Sequence, residues 1–134
     1  MTSEFVHLHN HSDYSLLDGA QRVDQLVNTI GDLNMDSVAL TEHGNMFSVV
    51  PYYKSAKKAG VKPIIGCEVY VAVGSRFEKK TTAESGWGNN HLILLAQNNV
   101  GYRNLMKLAT AGYLEGFYYR PRIDMDLLSE FSEG

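Results

Sequence analysis

The hydrophobic positions of the chain form short apolar runs separated by longer stretches with helical periodicity. Residues 37–41 and 62–72 are apolar and rich in β-branched side chains, and they predict buried strands. The second is either one long strand or a strand broken at Gly66. Residues 5–8 predict a shorter strand at the start of the chain, and residues 91–96 predict a further one. The pattern therefore predicts about four strands.

Between these runs, apolar residues recur at helical spacing. One stripe comprises Val23, Leu26, Val27, Ile30 and Leu33, and a later stripe comprises Tyr102, Leu105, Met106 and Ala109. Residues 47–59 predict another helix, with Pro51 in or near its first turn and Gly60 at its C-cap. We expect Asp124 or Asp126 to cap a final short helix.

Strands that alternate with helices indicate an α/β fold built from parallel strand–helix units. Such units need helices on both faces of the sheet, and they tend to close into barrels or to form doubly wound sheets. About four units would make half of a barrel. Residues 74–90 are polar and rich in Gly, Lys and Thr, and they predict an exposed loop. Because no strong stop signal ends the chain, we expect residues 1–134 to be the N-terminal part of a longer domain.

Composition narrows the possible functions without choosing among them. The 134 residues are 44% hydrophobic and 20% charged, which is ordinary for one globular domain. A net charge of −3 offers no general basic surface for nucleic acid, although it is compatible with a nucleic acid held through metal-bound phosphate. Cys67 is the one cysteine and cannot form an internal disulfide, and the sequence has neither a membrane-length apolar run nor a secretion signal. We therefore expect a cytoplasmic protein with no membrane partner.

The densest candidate chemistry lies directly after the first predicted strand. His7, His9 and His11 are three of the five histidines, and Asp18 follows them in a loop that ends at Gly19. Side chains two residues apart on extended backbone point to the same side, so His9 and His11 can reach one ion together. Imidazole and carboxylate ligands suit zinc, manganese or iron in hydrolysis better than a structural zinc, which thiolates would hold. A polar strand edge with ordinary surface histidines is the alternative.

Polar residues also accompany the next predicted strands. His43 comes just after the second strand, and Glu68 lies in the third. Reactive groups of parallel α/β folds collect where strands end, so we expect these two residues to meet the histidines of the first loop. A carboxylate in an apolar strand needs a partner, which is either a metal ion or a nearby Lys or Arg. His91 precedes its strand, so the strand-end argument alone leaves its role as a ligand undecided.

Other polar residues near these positions have two interpretations each. His7 either faces the site or has a structural hydrogen-bonding role. Asp13 and its serine neighbours either orient a ligand or face solvent, and Glu42 is a candidate for the same orienting role or for an ordinary loop residue. Cys67 should point away from its neighbour Glu68 and pack in the core.

An aromatic and basic segment follows the last long helix. It contains Tyr118, Tyr119, Arg120 and Arg122. Aromatic rings can stack on bases and arginines can pair with phosphates, so the segment is a candidate contact for nucleic acid or for a protein partner. An exposed loop without such a role is the alternative.

The sequence around these residues resembles the PHP (polymerase and histidinol phosphatase) domain family, and in particular the domain at the N-terminus of bacterial replicative DNA polymerase III alpha subunits. The His-Leu-His-Asn-His run and the Thr-Glu-His-Gly-Asn run belong to the segments that carry the resemblance. These segments are residues 7–19, 41–46, 59–68, 91–96, 101–105 and 116–122. The resemblance is weakest over residues 74–90.

The resemblance implies a fold and a metal cluster. The fold would be a distorted (β/α)7 barrel, of which this chain would form the first half. The cluster would hold two or three divalent ions, zinc or manganese first, with iron and magnesium as further candidates. The implied ligands are His9, His11, Asp18, His43, Glu68 and His91. Asp18 and His43 would also act in catalysis, which in this family uses a metal-activated water and no protein nucleophile.

The resemblance also implies an activity and partners. The domain would be a metal-dependent 3′–5′ exonuclease or phosphoesterase within a DNA-directed DNA polymerase. Its partners would be DNA, through the primer 3′ end, and other replicative polymerase subunits. The segment alone should be inactive and unstable, because an open sheet leaves an exposed edge. A non-catalytic metal-stabilised scaffold and a stand-alone small-molecule phosphatase are the alternative functions.

Overall fold

Helices and strands alternate through residues 4–79 and 89–134, the parts of the chain that this computed structural model describes. In chain order they are α1 (Val23–Asp32), β1 (Ser37–Leu40), α2 (Val49–Ala59), β2 (Lys62–Ala72), β3 (Asn89–Leu95), α3 (Asn99–Leu114), β4 (Arg122–Ile123) and α4 (Met125–Glu130). The fold is therefore mixed α/β, as the alternating pattern predicts. The part of the predicted loop that covers residues 80–88 lies outside the described residues.

One long strand, β2, organises the sheet. Its first part pairs in parallel with β1, whereas residues 66–72 pair antiparallel with β3. The short β4 also pairs with β2, in parallel. The pairing with β3 begins at Gly66 on the edge of β2 that faces away from β1, and a parallel bridge between His43 and Glu68 continues the β1 side past this point. A β-carbon at Gly66 would lie 2.6 Å from the carbonyl oxygen of Leu94, so glycine allows β3 to approach this closely. Of the two predicted forms, β2 is thus one long strand and is not broken at Gly66.

The sheet differs from the all-parallel arrangement that the sequence predicts. β3 runs antiparallel to β2, and residues 5–8 are extended without forming a strand. Two backbone hydrogen bonds hold this first segment beside β1, from the Ala39 amide to the His7 carbonyl and from the Thr41 amide to the Asn10 carbonyl, each 2.9 Å long. Phe5 stays 58% exposed, so the segment buries little apolar surface. Closure into a barrel remains a prediction.

The first two helices follow their sequence patterns closely. In α1 the predicted residues Val23, Leu26, Val27 and Ile30 are buried, but Leu33 is the C-cap and is exposed. α2 begins at Val49, two residues later than predicted, with Pro51 in its first turn. Gly60 caps α2 with a φ of 74°, a left-handed conformation that glycine adopts without a steric penalty.

The buried face of the third helix overlaps the predicted stripe at Leu105 but is rotated away from the rest of it. Its buried residues are Gly101, Asn104, Leu105, Leu108 and Gly112, whereas Met106 is 40% exposed. A β-carbon at Gly101 would lie 1.8 Å from the carbonyl oxygen of Gly134, so the missing side chain allows close packing there. A helix face that contains glycines cannot be recognised from a periodic stripe of large apolar residues. The sequence also did not predict β4, and Asp124, not Asp126, caps α4 by accepting from the Leu127 amide at 3.1 Å.

Two hydrophobic clusters support the sheet. The first joins α1, α2 and β1, and the second joins the end of β2 to α3, β4 and α4. Cys67 lies in the second cluster at 1% exposure, which confirms its predicted core position. Its neighbour Glu68 faces the other way because side chains alternate along a strand. None of the described helices has the length and apolarity that are needed to cross a lipid bilayer.

Candidate metal centre

The buried carboxylate of Glu42 holds the histidine-rich loop against the end of β1 by hydrogen bonds. Glu42 is 1% exposed, and its carboxylate accepts hydrogen bonds from the Ser12 amide at 3.1 Å and from the hydroxyls of Ser12 and Ser15. The Ser15 hydroxyl oxygen in turn accepts from the His43 amide at 3.1 Å. Glu42 therefore links the loop that carries His9 and His11 to the loop that carries His43.

Glu68 lies at the centre of four histidines. Its Oε2 atom is 2.5 Å from His9 Nε2 and 3.1 Å from His11 Nε2. Its Oε1 atom is 3.3 Å from His43 Nδ1 and contacts His91 Nδ1 directly. Because Glu68 is only 2% exposed, these rings replace the water that would otherwise solvate the carboxylate.

Asp18 joins the group through His43. Its Oδ2 atom lies 2.7 Å from His43 Nε2, while its side chain stays 56% exposed. A β-carbon at the following residue, Gly19, would lie 1.8 Å from the Ser12 carbonyl oxygen, so glycine is required for the loop to return this closely. The His43 ring also stacks on the His11 ring at 3.9 Å between centroids. Asp18 thus closes the cluster on its solvent side.

The direction of β3 explains how His91 reaches the cluster. His91 pairs with Tyr70, which lies two residues after Glu68 and therefore on the same face of β2. In a parallel strand, a residue that precedes the apolar run would lie at the far end of the sheet. In an antiparallel strand, the same residue lies beside the last residues of β2. Whether His91 reaches the cluster could not be decided from the sequence because the predicted sheet was all parallel.

Burial and neighbouring groups together shift the pKa values of Glu68 and His11. Burial by itself would raise the pKa of Glu68, but hydrogen bonds from His9 and His91 and the charges of His43 and His11 hold that pKa below its ordinary value. Burial and the adjacent His43 lower the pKa of His11, although Glu68 opposes this change. At neutral pH, Glu68 is therefore an ionised carboxylate and His11 a neutral imidazole, which are the forms that bind metal ions.

The donor set fits divalent metal ions. His9, His11 and Glu68 form one group of donor atoms and His43, Glu68 and His91 form another, with all atoms of a group within 4.8 Å of one another. Ligand atoms bound to one ion at about 2.0–2.1 Å are separated by about 3 Å. His11 Nε2 lies 3.1 Å from both His9 Nε2 and Glu68 Oε2, and His43 Nδ1 lies 3.3 Å from Glu68 Oε1, which is close to that separation. In the described part of the chain, the buried Nδ1 atoms of His11 and His43 make no hydrogen bond. The structure thus brings together all six residues of the predicted set, whose role as ligands stays a prediction.

Two other candidates lie apart from the cluster. The His7 side chain is exposed and packs edge-on against Phe5, with ring centroids 4.8 Å apart. Asp13 is exposed, and its side chain contacts none of the cluster residues among those that the structure describes. Of the two interpretations of Asp13, solvent exposure is therefore the one that the structure supports.

Tyr70 is a neighbour of the cluster that the sequence argument missed. Its ring lies 6.2 Å from the His43 ring and 4.8 Å from the His91 ring. Burial raises the pKa of its phenol above the ordinary value of 10.0, although the charge of Arg120 opposes this change. The available signal was its position two residues after Glu68, which places both side chains on one face of the strand.

The two arginines of the aromatic and basic segment have different environments. Arg122 is 5% exposed, and its guanidinium donates to the carbonyls of Gly116, Arg76 and Glu78 at 3.0, 3.1 and 2.8 Å. Its charge is therefore engaged by the backbone, and the predicted contact with a nucleic acid or partner does not apply to it. Arg120 is exposed. The segment and His43 both line a cleft of about 850 Å³, and a second cleft of about 460 Å³ adjoins His9 and His11.

Comparison with known proteins places the chain in a family. It matches the PHP domain model over residues 7–134. It is 56% identical to DNA polymerase III subunit alpha of Borreliella burgdorferi over 132 residues, which cover 98% of this chain and 11% of that protein. The subunit of the same name from Aquifex aeolicus is 49% identical over 138 residues, covering 100% of this chain and 12% of that protein. The chain thus spans about a tenth of the length of these relatives.

Solved structures with low sequence identity share the fold. An amidohydrolase from Chromobacterium violaceum, with bound sulfate and no metal, has a TM-score of 0.51 and 18% identity over 79% of this chain and 34% of its own. A protein from Bifidobacterium adolescentis, assigned as a metal-dependent phosphoesterase, has a TM-score of 0.51 and 14% identity over 81% of this chain and 34% of its own. Since the family model covers nearly the whole sequence, the chain belongs to the PHP domain family.

Proposed function

We propose that this chain is the N-terminal PHP segment of a bacterial replicative DNA polymerase III alpha subunit, and that its cluster removes nucleotides from DNA 3′ ends. The observation that carries the proposal is the position of Glu68, whose two oxygens each face a different pair of histidines. The relatives named DNA polymerase III subunit alpha support the placement in a polymerase. The reaction would be a metal-dependent 3′–5′ exonuclease activity.

Glu68 would hold the ions together with the histidines around it. His9 and His11 would complete one set of ligands, and His43 and His91 the other. Zinc or manganese suits this combination of imidazole and carboxylate donors. Bound ions would supply Lewis-acid activation of a water molecule and would neutralise charge on the scissile phosphate.

Asp18 and His43 are suited to handle the proton of the attacking water. The contact of 2.7 Å between Asp18 Oδ2 and His43 Nε2 orients the carboxylate at the edge of the larger cleft, where Asp18 remains half-exposed. A carboxylate in this position can accept a proton and release it to solvent. No serine or cysteine nucleophile is required, and the buried Cys67 thiol is protonated because burial, with Glu42 and Glu68 nearby, raises its pKa to about 12.

The proposal is tested in the full-length polypeptide with Asp18→Asn. Release of nucleotides from a 3′-mismatched primer is followed in manganese or zinc without deoxynucleotides. We expect Asp18→Asn to slow release about 100-fold or more, which is the usual contribution of a positioned acid or base. Asp13→Asn is the matched control, because Asp13 lies in the same loop but is exposed and apart from the cluster. Equal release from the wild type and Asp18→Asn would contradict the proposal.

A metal-stabilised scaffold is the second candidate function. It is favoured by the way that Glu68 ties the first loop to β2 and β3, since ions at this point would hold three parts of the fold together. Absence of nucleotide release in the wild type, with polymerisation intact, would select the scaffold. Hydrolysis of a small phosphomonoester without hydrolysis of DNA would instead indicate a small-molecule phosphatase.

A further inference from the structure

Residues of two chemical kinds line the larger cleft beside the cluster. Asp18, His43 and His91 line it together with Phe117, Tyr119 and Arg120. Its volume of about 850 Å³ lies within the range of small-molecule sites. A ligand in this cleft would therefore have both the cluster and aromatic and basic groups within reach.

Arg120 supplies a positive charge near the cluster. Its guanidinium carbon lies 5.8 Å from the centre of the Tyr70 ring, and that ring contacts both His43 and His91. Among residues 4–79 and 89–134, no carboxylate forms an ion pair with Arg120. The charge is thus available to an anionic group, in contrast to that of Arg122, which the backbone engages.

The backbone holds Tyr119 in an unusual conformation at the edge of the cleft. Its φ angle is 57°, in the left-handed region that bulky side chains seldom adopt. A hydrogen bond of 3.0 Å from the Tyr118 amide to the Arg120 carbonyl stabilises this turn. The side chain of Tyr119 is 70% exposed and that of Phe117 is 50% exposed. Backbone strain of this kind often accompanies functional positions, and here it presents a ring beside an unpaired arginine.

We infer that this cleft is a subsite for the terminal nucleotide of an unpaired DNA 3′ end. Arg120 pairs with a backbone phosphate, and Phe117 and Tyr119 stack on the base. The inference rests on the proposed hydrolytic function and adds the residues that would bind the terminal nucleotide. A base that is already unpaired can enter the cleft directly, whereas a paired base must first leave its partner. The net charge of −3 describes the whole chain, whereas the positive charge of Arg120 lies at the cleft itself.

Photo-crosslinking in the full-length polypeptide tests the subsite. The probe is a single-stranded oligodeoxynucleotide with 5-iodouracil as its 3′-terminal base and a phosphorothioate at the last linkage, which resists hydrolysis. We expect crosslinks at Phe117 or Tyr119, and an approximately tenfold lower yield in Arg120→Ala, as expected for loss of a charge-assisted phosphate contact. Arg103→Ala is the matched control, because Arg103 is exposed on α3 and does not line the cleft.

Two results would overturn the inference. The first is crosslinking of the wild type only outside residues 116–120, and the second is an unchanged yield in both Arg120→Ala and Phe117→Ala. Crosslinking at Phe117 without any hydrolysis would contradict only the proposed function, and hydrolysis without such crosslinks would contradict only the subsite.

Discussion

Glu68 occupies a position that is unfavourable for an isolated carboxylate. It is 2% exposed within a strand whose neighbouring side chains are apolar, and four imidazoles surround it. A buried charge of this kind is tolerated only with partners of opposite charge or with a metal ion. The residue therefore connects the packing of the strand to the chemistry of the site.

Glu68→Gln is expected to abolish metal binding at the cluster. Glutamine keeps the shape of the side chain but removes the charge that both histidine pairs share. After dialysis of the full-length polypeptide, metal content measured by mass spectrometry should fall about tenfold or more. Glu130→Gln in α4 is the control, since Glu130 is exposed. Metal content equal to that of the wild type in Glu68→Gln would show that the ions bind elsewhere.

Glu42 is expected to act as a positioning residue without touching the substrate. In Glu42→Gln, an amide group would face the donors of Ser12 and Ser15, so one of their hydrogen bonds would be lost. We expect metal affinity to fall about 10- to 100-fold, as for other residues that orient ligands. The distinguishing measurement is hydrogen exchange, which should accelerate at the amides of Ser12 and His43. Unchanged exchange together with weaker metal binding would contradict a positioning role.

At the scale of elements, local periodicity was sufficient for α1, β1 and α2 but not for the second half of the chain. The direction of β3 depends on pairing with β2 across the connection between them, and no local pattern encodes that direction. β4 has two residues, too few to show a period. The buried face of α3 includes glycines, whose contribution is close approach rather than apolar area. Spacing and strand ends were sufficient to predict the meeting of His9, His11, Asp18, His43 and Glu68, and the family resemblance added His91. Tyr70 was not predicted, because an aromatic residue in an apolar strand resembles an ordinary core residue.

The junction between α4 and the segment after β2 depends on an ion pair. Arg76 Nη1 lies 3.0 Å from Asp124 Oδ1, and its Nε donates to Glu115 at 2.7 Å. Burial alone would raise the pKa of Asp124, but hydrogen bonds from the amides of Arg76 and Leu127 and the charge of Arg76 hold it below the ordinary value of 3.8. Folding therefore favours the ionised form of Asp124.

Asp124→Asn is expected to destabilise the domain in a pH-dependent way. At pH 7 the loss should be about 2 kcal/mol, from the buried charged hydrogen bonds to Arg76, since asparagine can still cap the helix. The stabilisation by Asp124 is fully present above the unfolded pKa of 3.8 and is lost as pH falls through the lower folded pKa. The difference in unfolding free energy between wild type and variant should thus shrink below about pH 4. A difference that is constant from pH 7 to pH 3 would contradict this assignment, and Asp126→Asn is the exposed control.

At the scale of the whole molecule, the cluster joins parts that are distant in sequence. His9 and His11 come from the first loop, His43 from the loop after β1, and Glu68 and His91 from paired strands. Any ligand that binds the folded form and not the unfolded form stabilises the fold. Metal ions at the cluster should therefore stabilise the pairing of β2 with β3 as well as the first loop.

Chelation of the full-length polypeptide is expected to accelerate hydrogen exchange in β2 and β3 together. Restoring zinc or manganese should reverse the effect, whereas Glu68→Gln should exchange rapidly with or without metal. α1 packs in the other hydrophobic cluster and serves as the internal reference. Acceleration confined to residues 9–19 would show that the ions order the loop without stabilising the sheet.

The antiparallel pairing of β2 with β3 also determines which changes in chain length the centre can tolerate. Residues 66–72 each have a partner in β3, and His91 faces the cluster because it pairs with Tyr70. An insertion between Ala72 and Asn89 leaves that pairing intact, so the connection can vary in length while the same side chain faces Glu68. A single residue inserted between His91 and Leu95 would instead move His91 opposite Val71 and turn the imidazole to the other face. Length variation is therefore neutral before His91, whereas after His91 it removes this side chain from the cluster.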